Sequence, residues 1–258
     1  MEDKIFNIIK GSKKYNTICD DTIHRICVEE IPKYNKEKDI VKSVKNKLHQ
    51  ISGSFFSDCL SREVKRLEKS GEADYINLLK LHSSTNERLS FCTEFYDDIF
   101  GVVGSIDSVL DIACGLNPVM VGEYLRAKEI RINKYIAEDI HLDALEVVKY
   151  YFDTAKYPIE IRSSDLLITI PDVTVDIVLL LKVLPLLEQQ RKDYYKHVIN
   201  ELNAKYIVVT FPTKTMSGKV VGMLDNYKNL FDEFISSCAF KVIFTKAYNN
   251  ELLYVLMR

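Results

Sequence analysis

Residues 111–118 combine residue types and a spacing that suit the binding of a small cationic ligand. Asp111 supplies a carboxylate directly after the apolar pair Val109-Leu110. Gly115 lets a ligand approach the main chain closely, because it has no Cβ. The other glycines of a G-x-G-x-x-G dinucleotide fingerprint are absent. A single glycine beside an acid therefore favours a cationic amino-acid ligand such as S-adenosylmethionine.

Two further acidic residues come directly after predicted strands. Asp139 follows a strand over 134–137, and its carboxylate can accept bonds from both ribose hydroxyls of an adenosine. Asp165 follows a strand over 159–162 and can accept from an adenine amino group, while Leu166 packs on the ring. Either acid alone could be a helix N-cap. Three acids in order, each just past a strand, favour a ligand site.

Two cations lie near the same predicted edge. Residues 82–88 have the pattern of a helix start, and Arg88 can alternatively hold a ligand carboxylate through two parallel bonds. Lys182 follows a predicted strand over 175–181. It is either a phosphate contact or an ordinary exposed lysine.

The elements that must position these residues change character near residue 104. Residues 1–104 have helical spacing, whereas in 105–258 short apolar runs alternate with amphipathic helices, which predicts a parallel sheet covered on both faces. The last two strands, over 241–245 and 252–256, should pair as an antiparallel hairpin at the edge. We therefore predict an α/β fold of the class I methyltransferase type, Rossmann-like with seven strands, after an all-helical N-terminal domain. Ligands of such sheets bind at the carboxyl ends of the strands. The predicted strands span 108–113, 134–137, 159–162, 175–181, 206–211, 241–245 and 252–256, and two of the predicted helices span 142–152 and 186–202.

A lysine-rich segment over 33–47 carries an apolar stripe of Val41, Val44 and Leu48. One interpretation is a solvated helix face, and the other is a surface that contacts nucleic-acid phosphates. The predicted contacts are Lys36, Lys42 and Lys45.

Bulk properties limit the possible classes of protein. The formal net charge of −2 gives no global attraction to nucleic acid or membrane, and no apolar run of about 18 residues spans a bilayer. The six cysteines form no Cys-x-x-Cys pair, so reduced thiols are expected. We expect no metal site, no membrane association and a cytoplasmic location.

Five ordered stretches resemble the aminoglycoside-resistance 16S ribosomal RNA methyltransferases, which methylate N7 of the decoding-site guanine 1405. The resemblance runs from about residue 40 to the C-terminus. The stretches are residues 47–51 with Gly53, 82–88, 110–118, 180–187, and 211–219 with Gly222 and Met223.

This resemblance implies an N-terminal domain that docks on the assembled 30S subunit, S-adenosylmethionine as cofactor, and a loop over 214–223 close to the target. It implies that Thr85 and Arg88 serve the methionine end of the cofactor. The cofactor contacts expected are Thr85, Arg88, Asp111, Ala113, Gly115, Asp139, Ile140, Asp165, Leu166 and Leu181. The RNA contacts expected are Lys36, Lys42, Lys45, Lys182, Lys214, Ser217, Lys219 and Met223.

Guanine N7 carries a free lone pair, so no catalytic base is expected and the protein only has to position the reactants. The partner is 16S rRNA within the 30S subunit, bound by a monomer. The main alternative is a small-molecule S-adenosylmethionine-dependent methyltransferase whose N-terminal helices form a lid. A third hypothesis is a ribosome-binding protein that retains only the cofactor fold.

Overall fold

The computed structural model describes residues 1–52, 60–70, 75–213 and 223–258. Within these ranges, helices dominate the first part of the chain, and strands alternate with helices after it. The helices are α1 (Glu2–Lys10), α2 (Asp20–Glu30), α3 (Glu37–Ser52), α4 (Leu60–Ser70), α5 (Tyr75–Leu79), α6 (Ser83–Arg88), α7 (Cys92–Val103), α8 (Asn117–Ala127), α9 (Leu142–Ala155), α10 (Leu184–Gln190), α11 (Tyr194–Glu201) and α12 (Met223–Ser237), with a short 3-10 helix at Ile31–Lys33.

Seven strands form one sheet in the order β3-β2-β1-β4-β5-β7-β6. β1 to β5 run parallel, and β7 lies antiparallel between β5 and β6. The predicted mixed sheet and its C-terminal hairpin are thereby confirmed. The strands are β1 (Ser108–Ile112), β2 (Lys134–Asp139), β3 (Glu160–Ser163), β4 (Thr174–Leu181), β5 (Asn203–Pro212), β6 (Lys241–Ala247) and β7 (Glu251–Met257).

The single helix predicted over 186–202 is wrong. The chain forms α10 and α11 instead, separated at Asp193, whose φ of 60° is left-handed. The Asp193 N–H donates to the Glu188 carboxylate (2.7 Å), which stabilises the break. Because aspartate tolerates this conformation and the apolar spacing continues across the break, periodicity alone did not reveal it.

The sheet is covered on both faces by apolar side chains. One face packs Val109 and Leu179 against helices that include α7, and the other packs Leu110 and Val178 with α11. The helices over residues 60–103 thus share a core with the sheet.

A separate apolar cluster joins α1, α2 and α3, hereafter the N-terminal bundle (residues 1–52). In α3, Ile40, Val44 and Leu48 recur every four residues and are at most 1% exposed, so they line one helix face. Ile23 and Ile26 of α2 pack in the same cluster. The division into two domains at residue 104 stays a prediction.

In the described part of the chain, no helix combines the length and the apolar character needed to cross a bilayer.

Candidate active site

A cleft opens at the carboxyl ends of the parallel strands. It encloses about 960 Å³ of empty space, including space open to solvent. Nine of the ten predicted cofactor residues line it. They are Thr85, Arg88, Asp111, Ala113, Asp139, Ile140, Asp165, Leu166 and Leu181.

Gly115, the tenth, forms the turn under the cleft. Its φ is +51°, and a Cβ added there would lie 2.6 Å from Cε1 of the His82 ring. The Gly115 N–H donates to Asp139 Oδ2 at 2.7 Å. Only glycine fits this turn without displacing its neighbours, and the turn helps to hold the Asp139 carboxylate.

Asp139 is a buried acceptor at the end of β2. Its Oδ1 accepts from the main-chain N–H of His141 (2.8 Å) and lies 2.8 Å from the His141 ring Nδ1. Burial opposes ionisation, but the hydrogen bonds from His141 and Gly115 outweigh it and lower the pKa of Asp139. Helix α9 begins at Leu142 and is preceded by His141, so Asp139 does not cap it. An ionised carboxylate here is suited to accept from ribose hydroxyls.

Asp165 lies beyond β3 and is held from two directions. Its Oδ1 accepts from the Leu167 N–H at 2.9 Å. Its Oδ2 accepts from Thr22 Oγ1 and from Arg25 Nε, each at 2.9 Å. Sequence reasoning missed Thr22 and Arg25, because neither lies in a motif. Both belong to α2, more than a hundred residues away in the chain.

Arg88 is buried in a polar cluster. Its guanidinium donates to Glu251 through Nη2 to Oε1 (2.7 Å) and Nε to Oε2 (3.2 Å), and to Asn117 Oδ1 (2.9 Å). Burial disfavours the charged form of both side chains, but the attraction between the two charges and the hydrogen bonds between them outweigh this effect. The pKa of Arg88 is therefore raised and that of Glu251 is lowered. Glu251 was missed, although a lone acid at the start of an apolar strand was a visible signal.

Asp111 is the second-last residue of β1, and its side chain accepts two hydrogen bonds. Its Oδ2 accepts from Asn117 Nδ2 at 2.8 Å and from the Tyr135 hydroxyl at 2.9 Å. Burial nevertheless raises the pKa of Asp111 to about 7. Its carboxylate thus supports the same cluster in which Arg88 lies.

Lys182 has a left-handed φ of 61°, and its side chain is 11% exposed. Its Nζ lies 2.7 Å from Glu87 Oε2 and 3.6 Å from Glu251 Oε2. Lys182 is therefore a cleft residue paired with carboxylates. Its predicted phosphate contact stays a prediction.

Thr85 is fully buried at the start of the cleft's helix α6. Its Oγ1 lies within hydrogen-bonding distance of the main-chain oxygens of Leu79 (2.6 Å) and His82 (3.1 Å). The hydroxyl thus holds the segment that carries Arg88.

Apart from Lys182, the predicted RNA contacts fall into two groups. Lys36 and Lys42 are exposed and Lys45 is half-buried, at or within α3. The second group comes from the loop predicted near the target, and its member Met223 is the first residue of α12. Lys214, Ser217 and Lys219 lie outside the described residues.

The arrangement fits S-adenosylmethionine. The glycine turn admits no side chain, Asp139 and Asp165 offer acceptors for an adenosine, and Arg88 and Lys182, each paired with a carboxylate, line the same cleft. No group of three or more potential metal-ligating side chains occurs in the described ranges.

The sequence of the chain matches a known protein family and several named relatives. Residues 11–255 match the sequence model of the ribosomal RNA methyltransferase (FmrO) family. An enzyme of Serratia marcescens named 16S rRNA (guanine(1405)-N(7))-methyltransferase is 31% identical over 97% of this chain and 96% of its own length. One of the same name from Micromonospora rosea is 31% identical over 98% and 96%.

A solved structure also resembles the fold of this chain. The 16S rRNA methyltransferase RmtF, in complex with S-adenosyl-L-homocysteine, has a TM-score of 0.88 and 30% identity, covering 100% of this chain and 98% of its own. The predicted fold class, cofactor and enzyme class are confirmed by these comparisons. The chain belongs to the ribosomal RNA methyltransferase (FmrO) family.

Proposed function

We propose that this protein transfers a methyl group from S-adenosylmethionine to N7 of guanine 1405 of 16S rRNA in the assembled 30S subunit, and thereby confers aminoglycoside resistance. Relatives with this named activity extend over almost the whole chain at 28–31% identity, and this observation carries the proposal. The target places the enzyme in the bacterial cytoplasm. That it acts as a monomer stays a prediction.

The contacts of the cleft support an orientation for the cofactor. Asp139 and Asp165 would hold the ribose and the adenine, while Arg88 would lie toward the methionine carboxylate. When bound, S-adenosylmethionine supplies a methyl group on a sulfonium centre. The chain's own contribution is to fix the two ends of the cofactor, so that the methyl group keeps one position in the cleft.

Guanine N7 needs no deprotonation before it reacts. Its lone pair forms the new bond to the methyl carbon as the carbon–sulfur bond breaks, leaving a neutral thioether and a cationic base. The described acids of the cleft already accept hydrogen bonds from neighbouring groups. These acids are therefore suited to holding ligands. For the reaction itself, the protein has to align the reactants and exclude water.

The base must leave its stack to reach the cleft. N7 faces the major groove, which is deep and narrow in A-form RNA, so we expect the guanine to be flipped out. Lys36, Lys42 and Lys45 would contact phosphates during docking. Residues 214–222 of the loop predicted over 214–223 lie outside the described residues, and the place of this loop near the target stays a prediction.

The test is methyl transfer to four acceptors: intact 30S subunits, protein-free 16S rRNA, small nucleosides and small amines. We expect transfer to intact subunits above all, and strand scission at guanine 1405 after borohydride and aniline treatment. An Asp139→Ala variant is the matched control and should lose transfer. Transfer to small acceptors without transfer to RNA would support the small-molecule enzyme instead, and cofactor binding without any transfer would support a non-enzymatic ribosome-binding protein.

A further inference from the structure

Helix α2 of the N-terminal bundle reaches into the cleft beside Asp165. Arg25 Nε donates to Asp165 Oδ2 at 2.9 Å, and Arg25 Nη2 donates to Gln190 Oε1 at 2.9 Å. The Arg25 side chain is 10% exposed and that of Asp165 is 6% exposed, so water screens this ion pair little. Arg25 therefore ties the loop after β3 to the end of α10.

The main chain fixes the bundle to the neighbouring loop as well. The Cys19 N–H donates to the Ile140 oxygen at 2.8 Å, and the Leu142 N–H donates to the Thr17 oxygen at 2.8 Å. This short antiparallel bridge lies directly after Asp139. The bundle thus holds both loops that follow β2 and β3.

Most of the hydrogen-bond acceptor positions of the Asp165 carboxylate are already occupied. A carboxylate offers about four acceptor positions. Thr22 and Arg25 occupy two on Oδ2, and the Leu167 N–H occupies one on Oδ1. One position on Oδ1 is left for a ligand donor, such as the amino group of adenine.

We propose that Arg25, assisted by Thr22, is a positioning residue that fixes the Asp165 carboxylate as the acceptor for the adenine amino group, so that the N-terminal bundle sets the base specificity of the cofactor site. This inference rests on the proposed placement of the adenosine in the cleft. Without the two donors on Oδ2, the carboxylate could rotate and its remaining acceptor would no longer be fixed toward the base.

The charge of Arg25 matters in the same way. A guanidinium orients the neighbouring carboxylate through a planar, directed bond, whereas an ammonium provides charge with less direction. Arg25→Lys should therefore retain part of the preference for adenine. Arg25→Met should retain the least, because it keeps an unbranched apolar stem but removes every donor.

The experiment is calorimetric binding of two ligands by the full chain. The ligands are S-adenosyl-L-homocysteine and its purine-riboside analogue, which differs only in lacking the 6-amino group. Because a hydrogen bond to a charged acceptor is involved, the wild type should bind the adenine ligand about 10- to 100-fold more tightly. Arg25→Met should lose most of this ratio, mainly through weaker binding of the adenine ligand.

Glu29→Gln is the matched control within the same network. Glu29 Oε1 accepts from Arg25 Nη1 at 3.0 Å and is partly exposed, but it does not contact Asp165. This variant should keep the wild-type ratio. Thr22→Val, which removes the second donor to Oδ2, should reduce the ratio by an intermediate amount and replaces Arg25→Met if that variant fails to fold.

The outcomes separate the inference from the function on which it rests. If the wild type binds neither ligand, the placement of the cofactor itself is wrong. If Arg25→Met weakens both ligands by the same factor, Arg25 serves only the fold and the inference is overturned. A wild type without any preference for the amino group overturns it too.

Discussion

Arg88 and Glu251, 163 residues apart in the sequence, form a buried ion pair with two parallel hydrogen bonds of 2.7 and 3.2 Å. Their side chains are 1% and 0% exposed. The cation predicted for the cofactor's carboxylate is therefore already balanced by a carboxylate of the chain itself. Arg88 thus joins α6 to β7 at the cleft, whatever it adds to ligand binding.

Loss of Arg88 should destabilise the fold strongly. Arg88→Met removes the two short hydrogen bonds to the buried Glu251 carboxylate and leaves it Lys182 at 3.6 Å and the Thr210 side chain, so it should lower the free energy of unfolding by about 3–5 kcal/mol. Arg88→Met with Glu251→Leu should recover most of that loss, because an apolar pair needs no charge compensation. Urea denaturation of the single and double variants measures both values. A double variant as unstable as the single one would contradict this account.

The contribution of Arg88 to ligand binding can then be measured separately from its contribution to stability. In the folded double variant, affinity for S-adenosylmethionine should fall by about 1.5–3 kcal/mol, because a charge-assisted pair with the methionine carboxylate is lost. Calorimetry gives the value. Unchanged affinity would assign Arg88 to the fold alone.

The lysines of the N-terminal bundle should act on RNA binding alone. Lys36→Glu with Lys42→Glu should weaken binding to 30S subunits and flatten its salt dependence, while cofactor affinity stays the same, because fewer phosphate counterions are released.

The control is Lys134→Glu with Lys205→Glu, the same charge change on exposed lysines at the amino ends of β2 and β5, opposite the cleft. If the Lys36→Glu, Lys42→Glu variant and the wild type bind 30S subunits equally well throughout a salt titration, these lysines only form a solvated helix face.

His82 should make stability depend on pH. Burial lowers the pKa of His82 to about 3 from its usual value near 6.5. The unfolded chain therefore binds more protons than the folded chain between about pH 3 and 6.5, and stability falls as the pH falls through that window. Lowering the pH from 7.5 to 5.5 should cost about 1.4 kcal/mol through this residue.

His82→Gln should remove that contribution. Unfolding titrations at the two pH values should give a difference smaller by this amount than in the wild type. The exposed His197→Gln is the control and should follow the wild type. A His82 variant that retains the full wild-type pH dependence would contradict the prediction.

The loop predicted over 214–223 should contribute to binding of the target RNA and not to binding of the cofactor. Lys219→Glu should lower the rate of methyl transfer to 30S subunits while S-adenosylmethionine affinity stays unchanged, because the added charge repels phosphates in the transfer complex only. Single-turnover rates and calorimetry separate the two effects. Wild-type rates on intact subunits would reject the role. Faster wild-type turnover on protein-free RNA would reject the assembled subunit as the target.

The sequence determined the fold and the order of the site. Apolar runs mark the strands, and a parallel sheet brings the residues after each strand to one edge, so Asp111, Asp139 and Asp165 could be expected in one cleft from their spacing alone. The glycine requirement at 115 was equally local, because it depends on a tight turn. The hairpin of β6 and β7 followed from a connection too short to hold a helix.

Only the tertiary structure decided what holds those residues. Glu251 reaches Arg88 and Arg25 reaches Asp165 across separations of 163 and 140 residues, and no local pattern specifies such pairs. The burial that raises the pKa of Asp111 likewise depends on chain segments packed from elsewhere. Periodicity reports which face of an element is apolar, but the partner of a buried charge is chosen by packing in three dimensions.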